Sequence, residues 1–104
     1  MKVIDLPLKG EWYNMIEANI KTEEYREVKP YWVKRLMYES DTNEFGGVEH
    51  DYKDYTHVRF RYGYTKRTML REIESITIGY GKPEWGAPTD KQVFIIKFKK
   101  GGEQ

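Results

Sequence analysis

The 104 residues contain no cysteine. Disulfides, thiolate zinc sites and cysteine nucleophiles are therefore excluded, and a reducing compartment is the expected setting. No run of residues approaches the ~20 apolar positions that a membrane helix needs, and the N-terminus lacks the apolar core of a signal peptide. The expectation is a cytoplasmic chain with no membrane partner. Serine occurs only as Ser40 and Ser75, neither in a nucleophile-elbow context. Histidine occurs only as His50 and His57, too few and too loosely placed for a metal site; no metal and no cofactor is expected. No Gly-Lys-Ser/Thr phosphate loop is present. The length suits one domain, residues 1–104, and a monomer.

Aromatic residues, by contrast, are abundant, with 9 Tyr, 4 Phe and 3 Trp. A small core cannot easily satisfy nine phenolic hydroxyls, so several tyrosines should line a surface or groove. The net charge of +1 hides an asymmetry. Residues 1–52 carry 7 bases and 11 acids, residues 53–104 carry 11 bases and 6 acids. A non-specific polyanion binder is thereby disfavoured, whereas a local basic footprint is not.

The pattern predicts a strand at 3–8, with Pro7 suited to an edge. A helix follows over 11–18, with Trp12, Met15 and Ile16 on one face and Asn19 as a left-handed stop. Residues 21–28 read as a charged strand, and Pro30 opens a second helix. Residues 39–54, with six acids and one lysine, read as an acidic loop. Strands are predicted at 55–64, at 68–80 with a bulge near Glu74-Ser75, and at 93–98. Strands that cluster after the helices argue against parallel winding. The expected fold is α+β: a small, mostly antiparallel β-barrel flanked by two N-terminal helices.

Three stretches could carry chemistry. Lys21-Thr22-Glu23-Glu24-Tyr25-Arg26 reads either as a salt-bridged edge strand or as a groove. In the groove, Lys21 and Arg26 bind phosphate or polarise a carbonyl while Glu24 orients them or accepts from a base. The strand bearing Arg59 and Arg61, with Lys66, Arg67 and Arg71 beyond it, is either a solvated face or a track for a nucleic-acid backbone. In the glycine-rich segment 79–86, Trp85 is a structural lid or a stacking platform.

The order of a strand ending Leu6-Pro7-Leu8, a helix, Lys21-Thr22-x-Glu24-x-Arg26 and a final Phe94-Ile95-Ile96-Lys97-Phe98 resembles the ASCH domains of the PUA-like superfamily. Their signature is roughly Gly-x-Lys-x-x-Glu-x-Arg; Asn19 replaces the glycine here, while Lys21, Glu24 and Arg26 match. The resemblance implies a small barrel with a cleft beside the first helix that binds RNA or a nucleotide or nucleoside ligand. Lys21, Glu24 and Arg26 would contact the ligand, Tyr25, Trp32 or Trp85 would stack, and Arg59 and Arg61 would extend the phosphate track. Some small members deacetylate N-acetylated cytidine nucleosides, using a threonine three residues after the lysine. Glu24 stands at that position, so Lys21, Glu24 and Thr22 form the catalytic set if this chain is an amidohydrolase. A protein-interaction domain without catalysis is the remaining alternative.

Overall fold

Alternation of apolar and polar residues builds one sheet whose inner face is the core. The computed structural model describes residues 1–42 and 48–101. Its elements are β1 (Val3–Leu8), α1 (Gly10–Glu17), β2 (Glu23–Glu27), α2 (Pro30–Leu36), β3 (Met37–Thr42), β4 (Val48–Tyr52), β5 (His57–Tyr62), β6 (Thr68–Gly79) and β7 (Val93–Phe98). A 3₁₀ turn spans Pro83–Trp85.

Five strands form a mixed sheet in the order β1-β5-β6-β7-β2. Only the β1–β5 pair is parallel, with Val3 opposite His57 and Leu8 opposite Tyr62; the other pairs are antiparallel. Pro7 lies on an edge strand, where its missing N–H breaks no interior ladder. β6 is shared: residues 68–72 pair with β5 and residues from Ile73 onward pair with β7. The register shifts between Ile73 and Ser75, where the sequence predicts a bulge returning Ile76 and Ile78 to the core; Ile76 is buried, but Ile78 is exposed. Ile4, Leu6 and Leu8 from β1, Val58 and Phe60 from β5, and Phe94, Ile96 and Phe98 from β7 then meet Tyr13 and Ile16 of α1 in one core.

Two expectations change. Residues 39–54 are not simply a loop: Met37–Thr42 and Val48–Tyr52 pair antiparallel, giving a hairpin outside the main sheet. Acidic residues are depleted in strands, so composition hid a ladder held by backbone hydrogen bonds. Residues 43–47, the middle of that expected loop, lie outside the described residues. The hairpin base is tied to α2 where the Lys53 N–H donates to the Leu36 carbonyl over 2.8 Å. The apolar face of α1 is also rotated. It buries Tyr13 and Ile16, whereas Trp12 and Met15 are half-exposed. Tyr13 packs edge-to-face on Tyr62 at 5.4 Å, which holds α1 against β5.

The five-stranded sheet is open by backbone pairing, and its edges are β1 and β2. A side chain links them: Arg26 Nη2 of β2 donates to the Pro7 carbonyl of β1 over 3.2 Å. No described helix is long and apolar enough to cross a membrane.

A candidate ligand cleft built on a buried cation–carboxylate–cation triad

The site begins with the way α1 ends. Asn19 takes a left-handed φ of 61°. The Ile20 N–H reaches back to the Met15 carbonyl (2.9 Å) and the Asn19 N–H to that of Ile16 (3.0 Å), the paired bonds of a Schellman stop. Asn19 Oδ1 accepts from the Gly101 N–H at 2.8 Å, pinning the stop to the C-terminal segment. The chain is thereby turned inward at Lys21, just before β2.

Lys21 is 1% exposed and Glu24 5%. The Lys21 ammonium donates to Glu24 Oε1 at 2.7 Å and to the Trp85 carbonyl at 2.8 Å. Its centre lies 4.4 Å from the Trp12 ring centroid. Two of its three protons are thus committed, and the ammonium is further held by the indole face. Arg26 Nη1 donates to the other Glu24 oxygen, at 2.5 Å, and to the Tyr25 carbonyl at 2.7 Å. One carboxylate is therefore clamped between two cations, a net charge of +1 under the cleft wall. Burial pushes the Lys21 ammonium below its ordinary pKa, and the facing Glu24 charge opposes that shift without cancelling it.

A cleft of about 260 Å³ opens beside this triad, lined by Pro7, Lys9, Trp12, Glu24, Arg26 and Trp85 among others. Lys21 is not part of the lining; it lies behind Glu24 and Trp12. Of the two cations in the triad, Arg26 is the one with exposed surface, its side chain 16% accessible. Tyr25 touches the cleft but is mostly a structural strut. Its hydroxyl donates to Glu23 Oε1 (2.8 Å) and accepts from the Lys82 N–H (3.0 Å). Burial, reinforced by the bond to Glu23, pushes that hydroxyl above the usual phenol range. The half-exposed Trp85 ring lines the cleft and carries the Lys82 ammonium 4.4 Å from its centroid.

The remaining candidates are dispersed. Thr22 accepts a backbone bond from Phe98 (3.1 Å) and is not part of the cleft lining. Trp32 sits on α2, 5.2 Å from the Arg26 guanidinium, close to the cleft without lining it. Arg59 and Arg61 alternate with the buried Val58 and Phe60 and so point away from the core. They are engaged elsewhere, Arg59 with Asp5 (3.3 Å) and Arg61 with the Thr65 carbonyl (3.0 Å). Sequence reasoning missed Trp12 as cleft lining, although its i+9 distance from Lys21 spans a helix and its stop. In the glycine-rich segment, Gly86 has a φ of 99°, and its backbone approaches Trp12, a neighbour that the sequence does not reveal. A Cβ at Gly86 would stand 3.1 Å from Trp12 Cζ2. Gly86→Ala is expected to lower stability by about 1–2 kcal/mol through left-handed strain, measured by urea unfolding. It should also shift the tryptophan emission as Trp12 is displaced.

Among the described residues no group of three or more metal-ligating side chains is present. Searches against protein-family models, curated proteins and solved structures give no significant match to this chain.

Proposed function

We propose that the chain is a nucleic-acid-binding module that holds a single base, from RNA or a modified nucleotide, in the cleft beside Glu24. The observation that carries this reading is the clamped carboxylate. Glu24 is buried between the Lys21 ammonium and the Arg26 guanidinium, at the wall of a cleft lined by aromatic rings. A carboxylate so fixed accepts from an exocyclic amine, the contact that suits cytosine. Arg26 supplies the adjacent donor for a carbonyl or phosphate oxygen. A volume of about 260 Å³ lies just below the ~300–1,000 Å³ of drug-sized pockets, which suits one base rather than a larger ligand.

The ASCH resemblance supports the same reading, because the three residues that match its signature are the three that form the triad. In that reading the curled sheet is a PUA-like barrel whose last seam, between β1 and β2, is spanned by Arg26 instead of a ladder. The amidohydrolase alternative draws less support: Thr22 is not part of the cleft lining, and the Lys21 ammonium already donates to Glu24 and Trp85. No particular residue favours a protein-interaction domain.

Titration of the tryptophan fluorescence with cytidine, adenosine and uridine monophosphates tests the proposal. Saturable quenching is expected, strongest for the amine-bearing bases. Short RNA should bind with log K falling against log salt at about 0.7 per phosphate contacted. Absence of saturable quenching by every nucleotide at millimolar concentration, with a folded protein, overturns it.

A further inference from the structure

Four side chains on β2 and α2 form an alternating run of cations and rings. The Arg26 guanidinium lies 5.2 Å from the Trp32 centroid. Arg35 lies 5.6 Å from the same ring and 5.7 Å from that of Tyr31. Tyr31 and Trp32 meet edge-to-face at 4.9 Å. The run begins at a cleft residue and ends at Tyr31, which is 56% exposed. The segment 29–35 reads Lys-Pro-Tyr-Trp-Val-Lys-Arg, three bases and no acid. Pro30 and the α2 backbone hold it rigid, so its side chains meet a ligand without first having to be ordered.

Arg26 is paired with Glu24, but the other cations of this segment differ from Arg59 and Arg67. Arg59 is paired with Asp5, and Arg67, just past β5, with Glu17. Among the residues whose side chains are described, Lys29, Lys34 and Arg35 form no ion pair within 4.0 Å. Arg35 donates only to the Tyr31 hydroxyl (3.2 Å), and its Nε is buried with no hydrogen-bond partner among the described residues. Its guanidinium is thus held by aromatic faces rather than by an acid, which leaves N–H donors for an incoming anion. Cations interleaved with rings are what a single strand needs, because bases of any identity stack while phosphates are neutralised.

We propose that a single-stranded polynucleotide whose base occupies the cleft leaves it along α2, its next nucleotides passing over Arg26, Trp32, Arg35 and Tyr31 rather than along β5. The proposal rests on the cleft reading and adds the path of the strand. Tyr31 provides the outer stacking surface. Arg35 faces the phosphates.

Cytidine monophosphate and the ribotrinucleotide CCC, each titrated at two salt concentrations, separate the two readings. The trinucleotide is expected to bind at least tenfold more tightly than the mononucleotide. Tyr31→Ala and Arg35→Gln should each lower trinucleotide affinity by about five- to a hundredfold, the range for losing one stacked base. Both should leave the mononucleotide affinity within twofold. Arg35→Gln should also reduce the salt slope. Unchanged urea midpoints for Tyr31→Ala confirm that the fold survives. Mononucleotide binding with no gain for CCC overturns the path and leaves the cleft reading standing. So does a gain lost in Arg59→Gln or Arg61→Gln but kept in Tyr31→Ala, and so does displacement of CCC by an acidic peptide at equal charge concentration. Failure of both ligands to bind overturns both readings. Running the deoxy trinucleotide in parallel distinguishes RNA from DNA as the source of the strand.

Discussion

Lys21→Met should lower the unfolding free energy by about 3–5 kcal/mol, the usual cost of breaking a buried ion pair by removing one partner. The variant keeps most of the side chain's length, so the loss is one of charge and hydrogen bonds. Glu24 would remain buried with Arg26 as its only cation, and the Trp85 carbonyl would lose its Lys21 donor. Against a typical total of about 5–15 kcal/mol this is a large fraction, readable as a shift in the urea midpoint with an unchanged slope. The double variant Lys21→Met/Glu24→Leu should recover a substantial part of the loss, because an apolar pair needs no compensation there. A cost below about 1 kcal/mol for the single variant would show that Glu24 is not buried as an anion.

The pH dependence adds a signed check. Burial depresses the native pKa of Lys21 below its ordinary 10.5. Between those two values the unfolded chain binds more protons than the native one, so Lys21 makes stability rise with pH in that window. Tyr25 has the opposite sign. Its native pKa is raised above 10.0, so its contribution is complete below pH 10 and is lost as pH climbs further. Lys2 and Lys99, both exposed, are raised by their carboxylate and phenol partners and also lose their contribution at high pH. Subtracting the Lys21→Met profile from that of the parent isolates the rising component. Tyr25→Phe should remove part of the fall above pH 10.

The second large effect is on binding. Arg26→Ala is expected to weaken nucleotide affinity by about 10- to 100-fold, the range for losing one directional arginine contact, which is about 1–3 kcal/mol. Arg26→Lys should not restore it. The guanidinium reaches Glu24, the Tyr25 carbonyl and the Pro7 carbonyl at once from a planar fork, and an ammonium is a single point charge. Because Arg26 also joins β2 to β1, stability should fall alongside affinity. Arg26→Lys separates the two roles: it keeps the charge beside Glu24, so stability should recover further than affinity. Equal nucleotide affinity in the parent and Arg26→Ala would remove Arg26 from the binding surface.

Local structure was largely legible because it depends on near neighbours. Pro7 marked an edge, Asn19 a left-handed stop, Pro30 a helix start, and the Glu74-Ser75 region a bulge. Each follows from the backbone freedom of one residue or from a period-2 pattern. The hairpin over 37–52 was not legible, since a ladder made by backbone groups leaves little trace in an acidic composition. The true inner face of α1 also escaped. Trp12 and Tyr13 are adjacent on the helix, and only the position of Tyr62 on β5 decides which of them is buried.

The candidate site divides in the same way. Local order and chemistry put Lys21, Glu24 and Arg26 together: a helix stop turns the chain inward, and alternate positions of a strand share a face. That Lys21 lies beneath the cleft could not be read locally, because it depends on Trp85, 64 residues away in sequence. Arg59 and Arg61 lie outside the cleft lining: β5 sits one strand in from the β1 edge and turns them away from the core. The α2 residues stand next to Arg26 because α2 follows β2 after only Val28 and Lys29, which brings Trp32 back to within 5.2 Å of the Arg26 guanidinium. Sequence alone settles which side chains can carry charge, stacking and turns, since those are properties of single residues and short windows. Which of them share a surface is decided by long-range strand order, and that order is set by burial of Ile4, Leu6, Phe60, Phe94 and Ile96 in one common core.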